Sequence, residues 1–218
     1  MTLILGIDEA GRGPIIGSLF IAGVLLNEKD LSKLEELGVK DSKLLPHKKR
    51  ILLAREIKKI AKKYKIIQIK PEEIDKAVEK HDGLNLNWLE AHKTAEIINE
   101  LNPDKAIIDC PSPNIRKYKE FLLNLLKNKN VELIVEHKAD FHHKIVGASS
   151  ILAKCERECE IEQIKKKYGE VGPGYTSNQI TQKFVKENFD KHPEIFRKSW
   201  STFKNHENLK KQRKLDEF

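Results

Sequence analysis

The stretch from Lys105 to Asp140 restricts the fold more than any other part of the chain. Its ends, KAIIDC (Lys105–Cys110) and VELIVEHKAD (Val131–Asp140), read as apolar strands, and Ile115–Leu126 between them is amphipathic at helical spacing. A strand, a helix and a strand in that order form a crossover, and a crossover joins parallel neighbours. Two more apolar runs, Leu3–Asp8 and Ser18–Leu26, flank a glycine-rich corner that can turn the chain back into an antiparallel pair. Ile66–Ile69 adds a further strand. Helices are expected from about Pro46, over Pro71–Lys80, Leu86–Leu101 and Lys144–Tyr168, and, beyond a GPGYTS loop at Gly172–Ser177, on to Trp200. The pattern predicts a mixed α/β fold with a five-stranded sheet flanked by helices.

A chain of 218 residues fits one domain with a small appendage. The longest uncharged apolar stretch, Ile15–Leu26, is too short to span a membrane, and no basic region precedes the first apolar run. A cytoplasmic location with no membrane partner is therefore expected. Cys155 and Cys159 lie one helical turn apart and Cys110 stands far off, so the cysteines read as small buried side chains. The net charge of +8 suits an anionic partner. Lys48–Lys65 holds nine Lys or Arg against one Glu, although such a helix taken alone reads as a solvated face. The basic Lys210–Lys214 reads as a solubilising tail.

Four acids fall where strands end. Asp8 ends the first strand with Glu9 just beyond it, Asp109 ends the fourth, and Asp140 closes the fifth. The carboxyl ends of neighbouring strands are where α/β sheets bind ligands. Because adjacent strand residues face opposite ways, Asp8 and Glu9 share a site only if the chain turns between them, which Gly11 and Gly13 make feasible. Any one of these acids taken singly reads as a helix cap or a turn residue. Taken together they repel, by roughly 4 kcal/mol for two unit charges at about 4 Å and an effective dielectric near 20, and call for protons or a cation. All-oxygen donors favour Mg2+ or Mn2+ over zinc. Two such ions about 3.5–4 Å apart serve in-line attack of water on a phosphodiester. His137, His142 and His143 offer a rival zinc cluster without a clean ligand spacing, and are read as surface or supporting residues. A nucleic-acid-binding module that never cuts is the other alternative; a requirement for divalent metal in turnover separates it from an enzyme.

Several motifs together resemble the ribonuclease HII family, of the archaeal type. They are GIDEAGRGP (Gly6–Pro14), VKDSKLL (Val39–Leu45), AIIDCP, HKADFHHKIVGASSILAKCERE and GPGYTSN, and they occur in the family's order from Leu3 to about Trp200. The resemblance implies a ribonuclease H-like fold, with residues 1–178 as catalytic domain and 179–218 as a helical C-terminal appendage and basic tail. It implies hydrolysis of the RNA strand of RNA–DNA hybrids and cleavage 5′ of single ribonucleotides in duplex DNA, with 3′-hydroxyl and 5′-phosphate ends. Asp8, Glu9, Asp109 and Asp140 are carried over as catalytic residues holding Mg2+ or Mn2+, two ions during catalysis. Gly11, Arg12, Gly13 and Tyr175 are carried over as readers of the ribonucleotide, whose 2′-hydroxyl separates RNA from DNA. Lys43, Lys138 and Lys154 are candidate phosphate contacts, followed by Arg157 and Thr202. The chain is expected to act as a monomer, and its last residues, KLDEF, are a candidate contact for a sliding clamp. Gly147, Thr176 and Asn178 depart from the Ala, Pro and Asp usual in such members, which bears on fine substrate preference.

Overall fold

The structure, a computed structural model, describes residues 2–39, 46–79 and 84–216. Strands β1 (Leu3–Ala10) and β2 (Leu19–Asn27) come first, followed by helices α1 (Leu31–Glu36) and α2 (His47–Ile60). Strand β3 (Lys63–Ile69) precedes α3 (Pro71–Val78) and α4 (Leu86–Leu101). Then β4 (Lys105–Asp109), α5 (Ile115–Leu125), β5 (Glu132–Glu136), α6 (Ala139–His142) and α7 (Lys144–Tyr168) alternate. Helices α8 (Gln179–Asn188) and α9 (Ser201–Asp216) close the chain. The sheet has the order β3-β2-β1-β4-β5, with β1 antiparallel to β2 and parallel to β4, and β4 parallel to β5. The expected five-stranded mixed sheet is present, and α5 makes the crossover that the amphipathic stretch promised.

Two compact units make up the chain: Met1–Ala10, Phe20–Gln68 and Leu86–Glu156 in one, Gly11–Leu19, Ile69–Asn85 and Arg157–Phe218 in the other. In the first, period-two alternation assigns each strand residue a face. Ile4, Ala10, Phe20, Ala22, Val24 and Ile107 pack in one core cluster with Leu53 and Ile57 of α2 and Val146, Ile151 and Leu152 of α7. On the opposite face a Cβ added to Gly23 would meet Ile97 of α4 and the side chains of Leu5 and Ile7. The second unit has its own apolar cluster, in which Ile15 and Ile16 join Phe184, Val185, Phe196 and Phe203. Helix starts follow local chemistry: Asn114 accepts a hydrogen bond from the Lys117 amide to cap α5, and Asn178 caps α8 through the amides of Ile180 and Thr181.

Several sequence expectations are corrected. Strand β5 stops at Glu136, and Lys138, left-handed at φ 59°, starts the short helix α6, so Asp140 sits on a helix rather than at a strand end. Strand β1 does not turn between Asp8 and Glu9; the ladder with β2 continues through Ala10↔Phe20. The basic run is not one helix, since α2 ends at Ile60 and the residues from Lys63 onward form β3. The segment before Trp200 is not helical throughout: after a 3-10 turn at Pro193–Ile195, Phe196 bridges to Ile16, and Lys210–Lys214 then belongs to α9. Of the cysteines, Cys110 and Cys155 are buried as expected and Cys159 is exposed. No helix among the described residues is long and apolar enough to cross a membrane.

One close approach fixes β1 against α7. A Cβ on Gly6 would lie 2.4 Å from the backbone carbon and oxygen of Ile145. Gly6→Ala is therefore expected to destabilise the fold by about 1–3 kcal/mol or more, because backbone cannot yield as a side chain does. Thermal melts of the variant and the parent chain check this, and an unchanged midpoint would remove the constraint.

Candidate active site

In the first unit three acids follow one line across the sheet. The parallel register ends at Ile7↔Ile108 between β1 and β4 and reaches Asp109↔Glu136 between β4 and β5. Asp8 and Asp109 each stand one step past a paired isoleucine and so leave the sheet on the same face, toward α7. Asp8 is buried, at 6% exposure, with Oδ1 taking the Glu9 amide at 2.7 Å and Ser150 of α7 hydrogen-bonding its side chain. Burial, and then the charges of Asp109 and Glu9, push its pKa up to about 8. Asp109 is also pushed up, first by burial and then by Asp140. It is held back by the amides of Ala139, at 3.3 Å, and Lys138, and by a hydrogen bond with Asp8. The acids thus share one electrostatic neighbourhood, and Asp109 caps α6 as well.

Glu9 joins from the other side of the sheet. Tyr118 of α5, fully buried, has its phenol raised chiefly by burial, with the charges of Glu90 and Glu9 adding to it. Glu9 therefore lies toward α4 and α5 while still contributing repulsion to Asp8. Glu136, which sequence reasoning passed over, takes His142 Nδ1 at 3.0 Å and His143 Nε2 at 3.1 Å, and those contacts hold its carboxyl below the usual range. His137 sits with Nδ1 3.2 Å from the Cys110 carbonyl. Among the described residues no three carboxylate, imidazole or thiol groups already stand together as a ligand set. The donor chemistry nonetheless fits a hard divalent cation: four carboxylates, two of them with raised pKa values that a cation would lower.

In the second unit the Gly11-Arg12-Gly13 corner and Tyr175 are neighbours. A Cβ on Gly13 would be 3.8 Å from Tyr175 Cε1. Gly11 has φ +92°, and a Cβ there would come within 2.7 Å of Arg157 Cδ and 2.8 Å of the Ser18 carbonyl, so glycine is required. Arg157, buried, donates from Nη2 to the Pro173 carbonyl at 2.9 Å and sets its guanidinium 5.5 Å from the Tyr175 ring centre. The Ile15 amide bonds the Gly174 carbonyl at 2.8 Å, tying the corner to the GPGYTS loop. Tyr175 keeps 43% of its surface exposed. Arg157 is thus a support for Tyr175, not a free phosphate contact.

Of the remaining candidates, Lys138 is exposed, and Lys154 is half-buried on α7, one turn beyond Ser150 and on the same helix face. Thr202, on α9, lines a polar cleft of about 750 Å³ with Thr176, Gln182 and Lys186. Lys43 and most of VKDSKLL lie outside the described residues. Ser150 was legible only as part of a helical motif, and nothing in sequence spacing marks its bond to Asp8.

Solved structures of known proteins share this architecture. The ribonuclease H2 of Pyrococcus horikoshii OT3 matches with a TM-score of 0.87 and 35% identity, over 95% of this chain and 98% of that one. The ribonuclease HII in a PCNA complex from Archaeoglobus fulgidus matches with a TM-score of 0.83 and 38% identity, over 93% and 96%. The fold is ribonuclease H-like. The family model for ribonuclease HII matches residues 5–203, and ribonuclease HII of Methanococcus maripaludis strain C6 is 46% identical over 93% of this chain and 86% of its own length. The chain belongs to the ribonuclease HII family, metal-dependent endonucleases that hydrolyse phosphodiester bonds. Its activity is accordingly cleavage of the RNA strand in RNA–DNA hybrids.

The raised pKa of Asp8 has a consequence for stability. The folded chain keeps this proton to about pH 8, whereas the unfolded chain releases it near the ordinary 3.8. Between those values the native state binds more protons, so stability falls as pH rises through the window. Asp8→Asn removes that loss. In chelator, the variant is expected to melt several degrees above the parent at a pH of about 8 or higher, with the gap closing as pH falls toward about 4. Equal melting points at high pH would show that Asp8 is not charged against its surroundings.

Proposed function

We propose that this ribonuclease also cuts duplex DNA on the 5′ side of a single embedded ribonucleotide, leaving 3′-hydroxyl and 5′-phosphate ends. Asp8, Glu9, Asp109 and Asp140 hold two divalent ions, Mg2+ or Mn2+, for the reaction. When bound, the ions supply positive charge that activates water and neutralises the scissile phosphate. Residues 1–178 are the catalytic domain and 179–218 its appendage, and the protein acts as a monomer. A PCNA-type clamp is the proposed protein partner, in keeping with the Archaeoglobus fulgidus complex.

The observation that carries the reading is the packing of Tyr175 beside Gly13 within one unit. A ribonucleotide in DNA is distinguished by one hydroxyl. The backbone of the Gly11-Arg12-Gly13 corner reaches that hydroxyl where two of its three residues carry no Cβ, and the exposed Tyr175 ring offers an apolar face for the sugar beside it. Ser150 fixes the Asp8 carboxyl, and Asp109 is steadied by the Ala139 amide. Lys138 and Lys154 contribute phosphate contacts, as does Lys43, while Arg12 neutralises a backbone phosphate. In the sequence Ala10 alone separates Glu9 from Gly11, so phosphate chemistry and sugar reading are encoded together.

Asp109→Asn deletes a charge from the ion site and is expected to remove nearly all cleavage of a hybrid while the chain stays folded by circular dichroism. Near-parental turnover would take Asp109 out of the mechanism. Gly13→Ala places a methyl group on the exposed side of the corner, where only Tyr175 lies within van der Waals reach. On a duplex with one ribonucleotide, Gly13→Ala and Tyr175→Ala are each expected to lose on the order of a hundredfold in kcat with binding nearly unchanged, since small misplacements cost rate. Cleavage at the parental rate by both variants would sink the assignment.

A further inference from the structure

Arg197 has no solvent exposure, yet carries a charge into the interior of the second unit. Its guanidinium is spent on one object. Nε donates to the Gly17 carbonyl at 3.0 Å, Nη1 to the Arg12 carbonyl at 2.7 Å, and Nη2 to the Gly11 carbonyl. Beside it, Trp200 Nε1 donates to the Gly13 carbonyl at 3.1 Å, and the Arg197 guanidinium sits 5.0 Å from the centre of the Trp200 ring. Every carbonyl of Gly11-Arg12-Gly13 is therefore claimed by a side chain from the 197–200 segment, those of Gly11 and Arg12 by the buried guanidinium.

That orientation decides which way the amides face. In a trans peptide the carbonyl and the following N–H point in opposite directions, and no described peptide is cis. With the Gly11 and Arg12 carbonyls turned in, the Arg12 and Gly13 amides turn out; residue 14 is proline and has none. We propose that Arg197, seconded by Trp200, is the positioning residue of the ribose-reading corner, setting the direction of the Arg12 and Gly13 amides toward the 2′-hydroxyl. This rests on the ribonucleotide reading given above and names what makes that reading geometrically possible.

Arginine is required by shape as much as charge. The three acceptors are spread around a planar fork that one ammonium cannot span. The 197–200 segment is itself pinned: the Arg197 amide bonds the Ile15 carbonyl at 2.9 Å, and Asp75 accepts from the amides of Lys198 and Ser199, both at 2.9 Å. Burial and the nearby charge of Arg157 pull the Arg197 pKa down, to about 9, which leaves it protonated at neutral pH.

The test compares the parent with Arg197→Lys, Trp200→Phe and Gly13→Ala on DNA duplexes bearing either one ribonucleotide or one 2′-fluoro nucleotide at the same position. Each protein is also melted and titrated with Mn2+ by calorimetry. Mere structural support lowers the melting point and the active fraction but leaves the ribo-to-fluoro cleavage ratio at its parental value. A positioning role lowers that ratio, about tenfold or more for Arg197→Lys and several-fold for Trp200→Phe, with KM and Mn2+ affinity near parental. If Arg197→Lys fails to fold, Trp200→Phe, which deletes one hydrogen bond and keeps an aromatic side chain, decides by the same ratio. An unmoved ratio in the folded variants, while Gly13→Ala lowers it, overturns the positioning role and leaves the corner as reader. A ratio unmoved by Gly13→Ala as well removes the corner's reading and this inference with it.

Discussion

Strand β1 and helix α7 meet at Gly6 more closely than any residue with a side chain permits, and the acid centre follows from that contact. With Ile145 backbone 2.4 Å from where a Cβ would be, the helix lies directly on the strand. Ser149 Oγ then reaches the Gly6 carbonyl at 2.8 Å, and its neighbour Ser150 reaches the Asp8 side chain, two residues further along the same face. The same packing excludes water from Asp8, and lost solvation is the largest cause of its raised pKa. The packing that forms the core is also what raises the carboxyl's pKa. The fold gives up stability at Asp8 by holding a carboxyl where burial disfavours its charge.

Each unit carries a buried charge problem, of opposite sign, and each resolves it largely with backbone dipoles. Around Asp109 the amides of Ala139 and Lys138 supply the positive ends, at the start of a single helical turn. Around Arg197 the carbonyls of Gly11, Arg12 and Gly17 supply the negative ends. Glu160 is the carboxylate nearest both buried arginines in effect, yet it also receives the Ser18 amide at 2.8 Å, so it too is shared with backbone. Backbone dipoles are fixed once the chain is folded, which makes them better suited than mobile counter-ions to holding charge in one place.

Sequence patterns revealed what depends on periodicity and little of what depends on chain direction within a loop. The crossover at Lys105–Asp140 and the β1–β2 pair were legible because alternation and amphipathicity fix them. So was the neighbourhood of Asp8 and Asp109, because parallel register carries one strand end to the next. Asp140 was misplaced onto a strand: VELIVEHKAD contains no proline or glycine, and the stop comes instead from Lys138 adopting a left-handed conformation unusual for its type. Glu9 was expected to turn toward Asp8, whereas β1 runs straight through both and leaves them on opposite faces, with Glu9 reaching Asp8 only as a repulsive charge. Glu136 was hidden as an ordinary strand acid, and only the register with Asp109 reveals its place.

Arg197 shows why the remainder was out of reach. A Gly-x-Gly run supplies conformational freedom, and freedom has no direction: the same residues could turn their amides in or out. Direction comes from donors that claim the carbonyls, and those donors stand in the segment after Ile195, joined to Gly11–Leu19 through the Ile16↔Phe196 bridge and the Arg197–Ile15 hydrogen bond. Nothing in the spacing of Phe196-Arg197-Lys198-Ser199 distinguishes a buried guanidinium from a solvated one, since Lys198, its immediate neighbour, is exposed. The conformation of this corner is therefore encoded in two places. The glycines make the shape accessible, and a buried arginine far away in sequence selects it from the alternatives that glycine leaves open.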